Sequence, residues 1–378
     1  MINILYNALH LTGQFSGVQN TVEQLMKEAF ANPANDINFE ALCPLNYHFD
    51  GIISPSQKLT KIRINTSNRW QRIGYEHFLM KSYFRKKGKH ILHCPAYNQP
   101  WNWNGLSVIT VHDIIALDFP EYCSPSNRLY FHFSLPRSIQ KATQIIAVSQ
   151  PVKEDILRKF KINPDKIKVI YPGIDDIYFT APSEEKLINT QNKYKLPEKF
   201  ILYVGNIEPK KNILRLIESF ESLILKYDIP HSLVVAGRFA WKYGDILQIK
   251  KRNEKRILFP GYIEQSDLPA LYMLAELFVF PSLYEGFGIP PLESMACGTP
   301  VIVSDRGALP ETTGGCAFMV DPLSVDSITS AMMELLENQT IRNQLIQKGK
   351  EHVQQFKWSR TWFDTTKLYH SLIDENDN

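Results

Sequence analysis

At 378 residues the chain is too long for one ordinary hydrophobic core, and two domains are expected. A hydrophobic content of 44% excludes a disordered chain, and five scattered cysteines without a C-x-x-C pair exclude a disulfide scaffold or a cysteine-built zinc framework. The net charge of +3 hides one concentration: residues 58–89 carry ten Lys/Arg and one acid, a local charge of +9 that leaves −6 for the rest.

The first residues, "MINILYNALH", show neither a charged leader nor a long apolar run, so no signal peptide is expected, and no stretch has the apolar length of a membrane span. Strands are expected at "INILY", "INFEAL", "HILHC", "SVITVH", "QIIAV" and "KVIYP" in the first half. In the second half they fall at "FILYVG", "SLVVAG", "RILFPG", "LFVFPS", "PVIVSD" and "CAFMVD". These runs are apolar without strict alternation, the pattern of parallel strands covered on both faces. Helical periodicity lies between them at 17–30, 124–141, 149–160, 212–227, 266–275 and 324–338, and the last residues from Trp358 form another helix. The repeated βαβ rhythm predicts two doubly wound, Rossmann-like domains facing a cleft, joined by a polar linker at 173–199 with room for one short helix.

Within residues 58–89, "NRWQRIGYEHFLMKSYFRKKGK" is expected to be an amphipathic helix. Trp70, Ile73, Met80 and Phe84 share one face, widened by Tyr75, Phe78, Leu79 and Tyr83. Such a helix either packs on the first sheet or lies on an anionic membrane surface.

Two strand-to-helix turns in the second half carry the chemistry. In "YEGFGIPPLE", Gly286 and Gly288 separate a strand from a helix that opens with two prolines. In "YVGNIEPKKN", Gly205 leaves a strand, and Lys210 and Lys211 stand at the next helix start, where a positive dipole end disfavours cations unless an anion lies between. Glycines admit close backbone approach, and a helix N-terminus suits phosphate. The plain alternatives are a tight turn, a solvated lysine pair and an ordinary exposed helix glutamate. If helical throughout, Glu285 and Glu293 lie ~12 Å apart, beyond the spacing of a glycosidase carboxylate pair but suited to the two ends of one extended ligand.

With "SGVQNTV", "HCPAYNQP", "VHDIIALDFPEYCS", "IIAVSQPVKEDI", "VIYPGID" and "PVIVSDRGALPE", these motifs resemble the retaining glycosyltransferases of family 4, with the GT-B fold. The likeness is greatest to bacterial mannosyltransferases of surface polysaccharide synthesis. The resemblance implies an acceptor-side domain over 1–175, a donor-side domain over 176–355, and a terminal helix, 356–378, that crosses back onto the first. It implies that Glu285 contacts donor-sugar hydroxyls, that Glu293 holds the ribose, and that the backbone of Phe287, Gly288 and Ile289 holds the distal phosphate. Lys211, with Lys210 beside it, would neutralise the leaving diphosphate. Gly17 and Gln19 would line the first turn, His112 would face the sugar, and the backbone of Gly261, Tyr262 and Ile263 would meet the base. Two departures stand out: Asn206 replaces an arginine common in the family, which shifts phosphate contacts to the lysines or Arg238, and Ser16 replaces the first glycine of a pair.

The implied reaction transfers a hexose from a nucleoside-diphosphate sugar, GDP-mannose preferred, to a glycan or lipid-linked acceptor. It proceeds with retention and by same-face attack. No metal or other cofactor is expected, since lysines and a helix end can offset the leaving charge and no D-x-D motif stands in the donor half. The implied setting is cytoplasmic, at the inner face of the membrane, with residues 58–89 as the peripheral contact and no nucleic acid as partner. A GT-B-fold binding or scaffold protein is the rival reading. A nicotinamide oxidoreductase is disfavoured because "ALHLTGQFSG" lacks G-x-G-x-x-G.

Overall fold

The computed structural model describes residues 1–12, 17–49, 51, 53–66, 68–80, 82, 90–240 and 256–377. Ser16, Lys81 and the aromatic and basic residues at 83–89 fall outside that set. Two compact units are present: Met1–Gly173 with Phe356–Asn378, and Ile174–Gln355.

The first unit is built on a seven-stranded parallel sheet. Its strands are β1 (Ile2–Asn7), β2 (Ile37–Pro44), β3 (Gln57–Ile62), β4 (Ile91–Cys94), β5 (Ser107–Val111), β6 (Gln144–Ala147) and β7 (Ile167–Val169). Their order, β3-β2-β1-β4-β5-β6-β7, reverses direction between β1 and β4. The runs read as strands are nearly all buried because helices cover both sheet faces. The helix Gly17–Ala31 follows β1 and buries Val22, Leu25, Met26 and Phe30 in the core around Tyr6 and Phe39. The terminal helix Trp358–Asp377 belongs to this same core, as the resemblance implied. Trp362 packs edge-on to Phe39 with ring centroids 5.6 Å apart and donates to the Asn32 carbonyl at 2.9 Å. The Tyr369 hydroxyl meets His93 Nδ1 at 2.6 Å, and burial pushes that imidazole down to about 3.

β3 is not expected from hydrophobic periodicity. Its sequence, "QKLTKI", pairs only with β2 at the sheet edge, so half of it faces water and no apolar run forms. Lys58 and Lys61 are therefore edge-strand charges, a common protection against unwanted strand pairing.

The amphipathic-helix expectation also needs correction. Helix Arg69–Gly74 is capped by Asn68, whose side chain accepts from the Trp70 and Gln71 amides, and it runs on as a π-helical turn, Tyr75–Leu79. The wider turn re-aims the side chains. Glu76, His77 and Met80 point inward, while Trp70, Phe78 and Leu79 are 69%, 63% and 58% exposed. The apolar face is split: among its described residues Met80 is buried, Ile73 and Tyr75 are half-buried, and Trp70, Phe78 and Leu79 are exposed, while the one acid of the basic segment is inside.

The second unit has six parallel strands: β8 (Phe200–Val204), β9 (Ser232–Ala236), β10 (Ile257–Gly261), β11 (Leu277–Phe280), β12 (Val301–Ser304) and β13 (Phe318–Val320). Their order, β10-β9-β8-β11-β12-β13, reverses between β8 and β11. The stretch read as a linker is part of this unit. It holds a 3₁₀ turn, Asp176–Phe179, and a helix, Glu184–Tyr194, capped by Ser183 and ended by Lys195 in the left-handed conformation. That helix docks through charge more than apolar area. Lys186 and Lys193 pair with the buried Asp267, and Tyr194 donates to it at 2.8 Å. Polar docking leaves little hydrophobic periodicity for a sequence reading to detect.

Candidate active site

In open α/β sheets, ligands bind beyond the carboxyl ends of the strands where the winding reverses. In the second unit that point lies between β8 and β11. The two loops that follow these strands contain Gly205, Asn206, Lys210 and Lys211 on one side and Glu285, Gly286, Phe287 and Gly288 on the other. The Leu283 amide donates to the Lys210 carbonyl at 2.8 Å, which ties the loops together. Asn212 does the same through its side chain. It sits in the left-handed region at φ 61°, tolerable for asparagine, and its amide donates to the carbonyls of Pro281 at 3.0 Å and Pro322 at 2.7 Å. Asn212 was not among the residues singled out from sequence, although an asparagine ending a Pro-Lys-Lys turn before a helix is a recognisable left-handed signal.

This bracing sets Lys211 against Glu285. Their Nζ and Oε1 atoms are 2.5 Å apart, and the lysine also lies 4.9 Å from the centroid of the Phe280 ring. Glu285 is only 7% exposed. Burial alone would raise its carboxyl, but the charges of Lys211 and Lys210 outweigh that and hold it below the usual carboxylate range. The carboxylate therefore stays ionised in a nearly dry site. Its loop is fixed from below by the turn after β12, where the Ala308 amide donates to the Glu285 carbonyl at 2.9 Å. Gly307 is needed there, since its φ is +57° and a Cβ would stand 2.6 Å from that carbonyl oxygen.

Gly288, at φ +101°, starts the helix Ile289–Ala296, and the Thr312 hydroxyl donates to the Phe287 carbonyl at 2.9 Å. Pro290 and Pro291 leave Ile289 and Leu292 as the residues of the first helical turn that carry an N–H group. Glu285 precedes the helix, so the ~12 Å separation reckoned from helical rise over the whole interval does not apply. Glu293 lies inside the helix and is not an ordinary exposed glutamate. It is 7% exposed, and Oε2 accepts from the Tyr272 hydroxyl at 2.8 Å. Burial raises its carboxyl to about 7 against hydrogen bonds from Tyr272 and Tyr178 that favour the charged form. These two tyrosines, from the helix Leu268–Leu274 and the 3₁₀ turn, carried no sequence signal of their own.

Arg238 and Tyr262 stand at the ends of β9 and β10, with the guanidinium carbon 4.3 Å from the ring centroid, while Ile263 is buried beside them. Ile207 donates to the Arg238 carbonyl at 2.8 Å, so the loops after β8 and β9 run together. Their closeness requires glycine. At Gly237, φ is +146° and a Cβ would collide with the carbonyl oxygen of Gly205. Gly237→Ala is expected to lower unfolding stability by about 2 kcal/mol or more, read by urea denaturation. A neutral result would mean that these loops part easily.

In the first unit, Gly17 opens the helix after β1 with open space where a Cβ would stand. The Gln19 amide reaches Thr12 Oγ1 at 3.1 Å. His112 follows β5, and its Nε2 lies 2.8 Å from the Pro95 carbonyl. A carbonyl only accepts, so Nε2 carries the proton. Burial lowers the imidazole below its ordinary value, which leaves Nδ1 as an acceptor in the neutral ring. These three residues belong to one unit and the donor-side residues to the other.

Two family profiles divide the chain in the same way. One described as Glycosyltransferase Family 4 matches residues 17–177, and one described as Glycosyl transferases group 1 matches residues 184–352. The Escherichia coli O-antigen chain mannosyltransferase B is 32% identical over 286 residues, covering 75% of this chain and 74% of that protein. The Escherichia coli serotype-specific mannosyltransferase WbdA is 32% identical over 280 residues, 71% of this chain, and the match spans 33% of WbdA's length. Among solved structures, sucrose-phosphate synthase from Thermosynechococcus elongatus superposes with a TM-score of 0.74 at 21% identity, covering 99% of this chain and 100% of that one.

Two doubly wound parallel sheets, with the terminal helix returned to the first, define the GT-B class of glycosyltransferases. Within that class the chain belongs to glycosyltransferase family 4.

Proposed function

We propose that the chain transfers a mannose-type hexose from a nucleoside-diphosphate sugar, GDP-mannose preferred, to a glycan or lipid-linked acceptor in surface polysaccharide synthesis, with retention of anomeric configuration. The observation that carries this reading is the buried Lys211–Glu285 pair at the reversal point of the second sheet, beside the N-terminus of helix Ile289–Ala296. An ionised, nearly dry carboxylate accepts hydroxyl hydrogen bonds strongly. An ammonium group and a helix N-terminus next to it suit a diphosphate. The mannosyltransferase names of the relatives support the sugar.

As the glycosidic bond to the donor breaks, negative charge grows on the departing phosphate. Lys211, Lys210 and the helix end stabilise that charge without a metal ion, each well-placed donor contributing about 3–4 kcal/mol. Glu285 orients the sugar hydroxyls, and Glu293, held by Tyr272, meets the ribose. The backbone of Gly261, Tyr262 and Ile263 meets the base, and Arg238, over the Tyr262 ring, is a further cation for the phosphates. The departing phosphate oxygen takes the acceptor's proton on the same face, so no side-chain base is needed. His112, neutral with Nδ1 free to accept, orients the sugar.

No helix among the described residues is long and apolar enough to cross a membrane. A peripheral contact at the cytoplasmic face would use the exposed Trp70, Phe78 and Leu79 together with the basic charge of residues 58–89.

GDP at 100 times its Kd is expected to raise the melting temperature by about 5–10 °C. A mannoside product should retain the α configuration, read from its one-bond C1–H1 coupling. No shift with any nucleoside diphosphate or its sugar would overturn the donor assignment, and a β product would overturn retention.

A further inference from the structure

A short helix, Leu309–Thr313, follows β12 and carries the loop that holds Glu285, Phe287 and Gly288. Its Thr312 is 1% exposed, and the hydroxyl lies 2.9 Å from the Phe287 carbonyl and 3.0 Å from the Ala308 carbonyl. The Ala308 carbonyl already accepts from the Thr312 amide at 2.8 Å, which favours Phe287 for the single hydroxyl proton. Thr312 is itself held from behind. His352, at the end of helix Gln339–His352, places Nε2 2.8 Å from the Thr312 carbonyl, and its Nδ1 accepts from the Gln355 amide at 3.0 Å. A carbonyl only accepts, so Nε2 carries the proton. The imidazole packs directly on Gly314, where φ is +56° and a Cβ would collide with the ring.

These bonds fix the orientation of one peptide. A trans peptide carries its C=O and N–H on opposite sides. With the Phe287 carbonyl anchored on Thr312, the Gly288 N–H is turned away from the helix Leu309–Thr313. Gly288 has φ 101° and ψ 61°, and glycine meets little steric resistance to other backbone angles. Without its anchor the Phe287–Gly288 peptide is free to flip. A flip replaces an N–H donor by a carbonyl oxygen, which repels a phosphate.

We infer that Thr312 is a positioning residue of the donor loop, with His352 behind it: the hydroxyl keeps the Gly288 N–H facing the distal phosphate of the nucleoside diphosphate. The inference rests on the donor reading above. It goes further by assigning the preference for a second phosphate to two residues that touch no ligand.

GDP and GMP titrated calorimetrically into the full chain test it, because GMP lacks the distal phosphate. The wild type is expected to bind GDP more tightly than GMP. Thr312→Val, of nearly the same shape but without the hydroxyl, should weaken GDP about tenfold and GMP less than about twofold, the loss of one hydrogen bond to a charged group. Thr312→Ser restores the hydroxyl and should bind both nucleotides within about twofold of wild type. His352→Ala acts one bond further away and should weaken GDP about threefold while sparing GMP. If the valine variant does not fold, Thr312→Ala makes the same comparison. A merely structural role would weaken GDP and GMP alike, or leave both unchanged in folded protein. Either result in the variant without the hydroxyl, or a serine variant as weak as that one, overturns the inference. A wild type that binds GDP no more tightly than GMP removes the donor reading and this inference with it, and that outcome is visible before any variant is made.

Discussion

Lys211→Met, with Glu285 left in place, is expected to cost about 3–5 kcal/mol of stability and to slow transfer by about a hundredfold or more. The stability loss follows from burial. Glu285 is 7% exposed, and its close ammonium partner is what keeps an ionised carboxylate tolerable there. Without Lys211, burial dominates and the carboxyl rises instead of falling. The sign of the pH dependence changes with it. In the wild type the depressed carboxyl contributes stability above the unfolded value, lost as pH falls through the folded one. In the variant the carboxyl is raised, so its contribution is lost as pH rises. The double replacement Lys211→Met with Glu285→Leu removes both charges and should return stability close to that of the wild type, since a buried pair gains little over well-packed apolar groups. It should not restore transfer. Urea denaturation from pH 4 to 8, alongside a transfer assay, separates the two effects. A double variant that is stable and transfers at wild-type rate would show that the pair is only structural.

That contrast marks how far the sequence could be read. Parallel strands buried on both faces announce themselves as apolar runs, and β8 and β11 were found that way, with the glycine turns that follow them. Lys211 and Glu285 were each singled out for their place in such a turn, but their pairing spans 74 positions and depends on the strand order. No local pattern encodes it. β3 escaped because an edge strand pairs on one side and keeps its lysines in water. The one short helix allowed for in the polar linker is Glu184–Tyr194, but its docking on Asp267 by ion pairs leaves no apolar pattern from which to read its bounds. Glu76 was the hardest residue to find. It is the one acid in a run of basic and aromatic residues, and a π-helical turn turns it inward. Helical periodicity assumes a constant angle per residue, and that assumption fails there.

Glu293→Gln is expected to stabilise the protein at pH 8 while weakening nucleotide binding. The carboxyl is raised to about 7 by burial, against an unfolded value of 4.5. Its contribution to stability is therefore fully present below the unfolded value and is lost as pH rises through 7. At pH 8 the wild type bears the cost of a buried charge, up to about 2–3 kcal/mol, which a neutral glutamine does not. Near pH 4 wild type and variant should be equal, because both side chains are then neutral. Glutamine still offers an oxygen to the Tyr272 hydroxyl, so the packing around helix Ile289–Ala296 need not change. A ribose diol donating to a carboxylate makes stronger hydrogen bonds than to an amide, so GDP affinity should fall about tenfold or more in the variant at pH 8. Binding favours the ionised form, so the deficit should narrow as pH falls below 7, where the wild type must first lose a proton. Denaturation and GDP titration at pH 5, 6.5 and 8 give both curves. A variant that gains stability without losing nucleotide affinity would leave Glu293 a buried acid under two tyrosines, with no part in holding the donor.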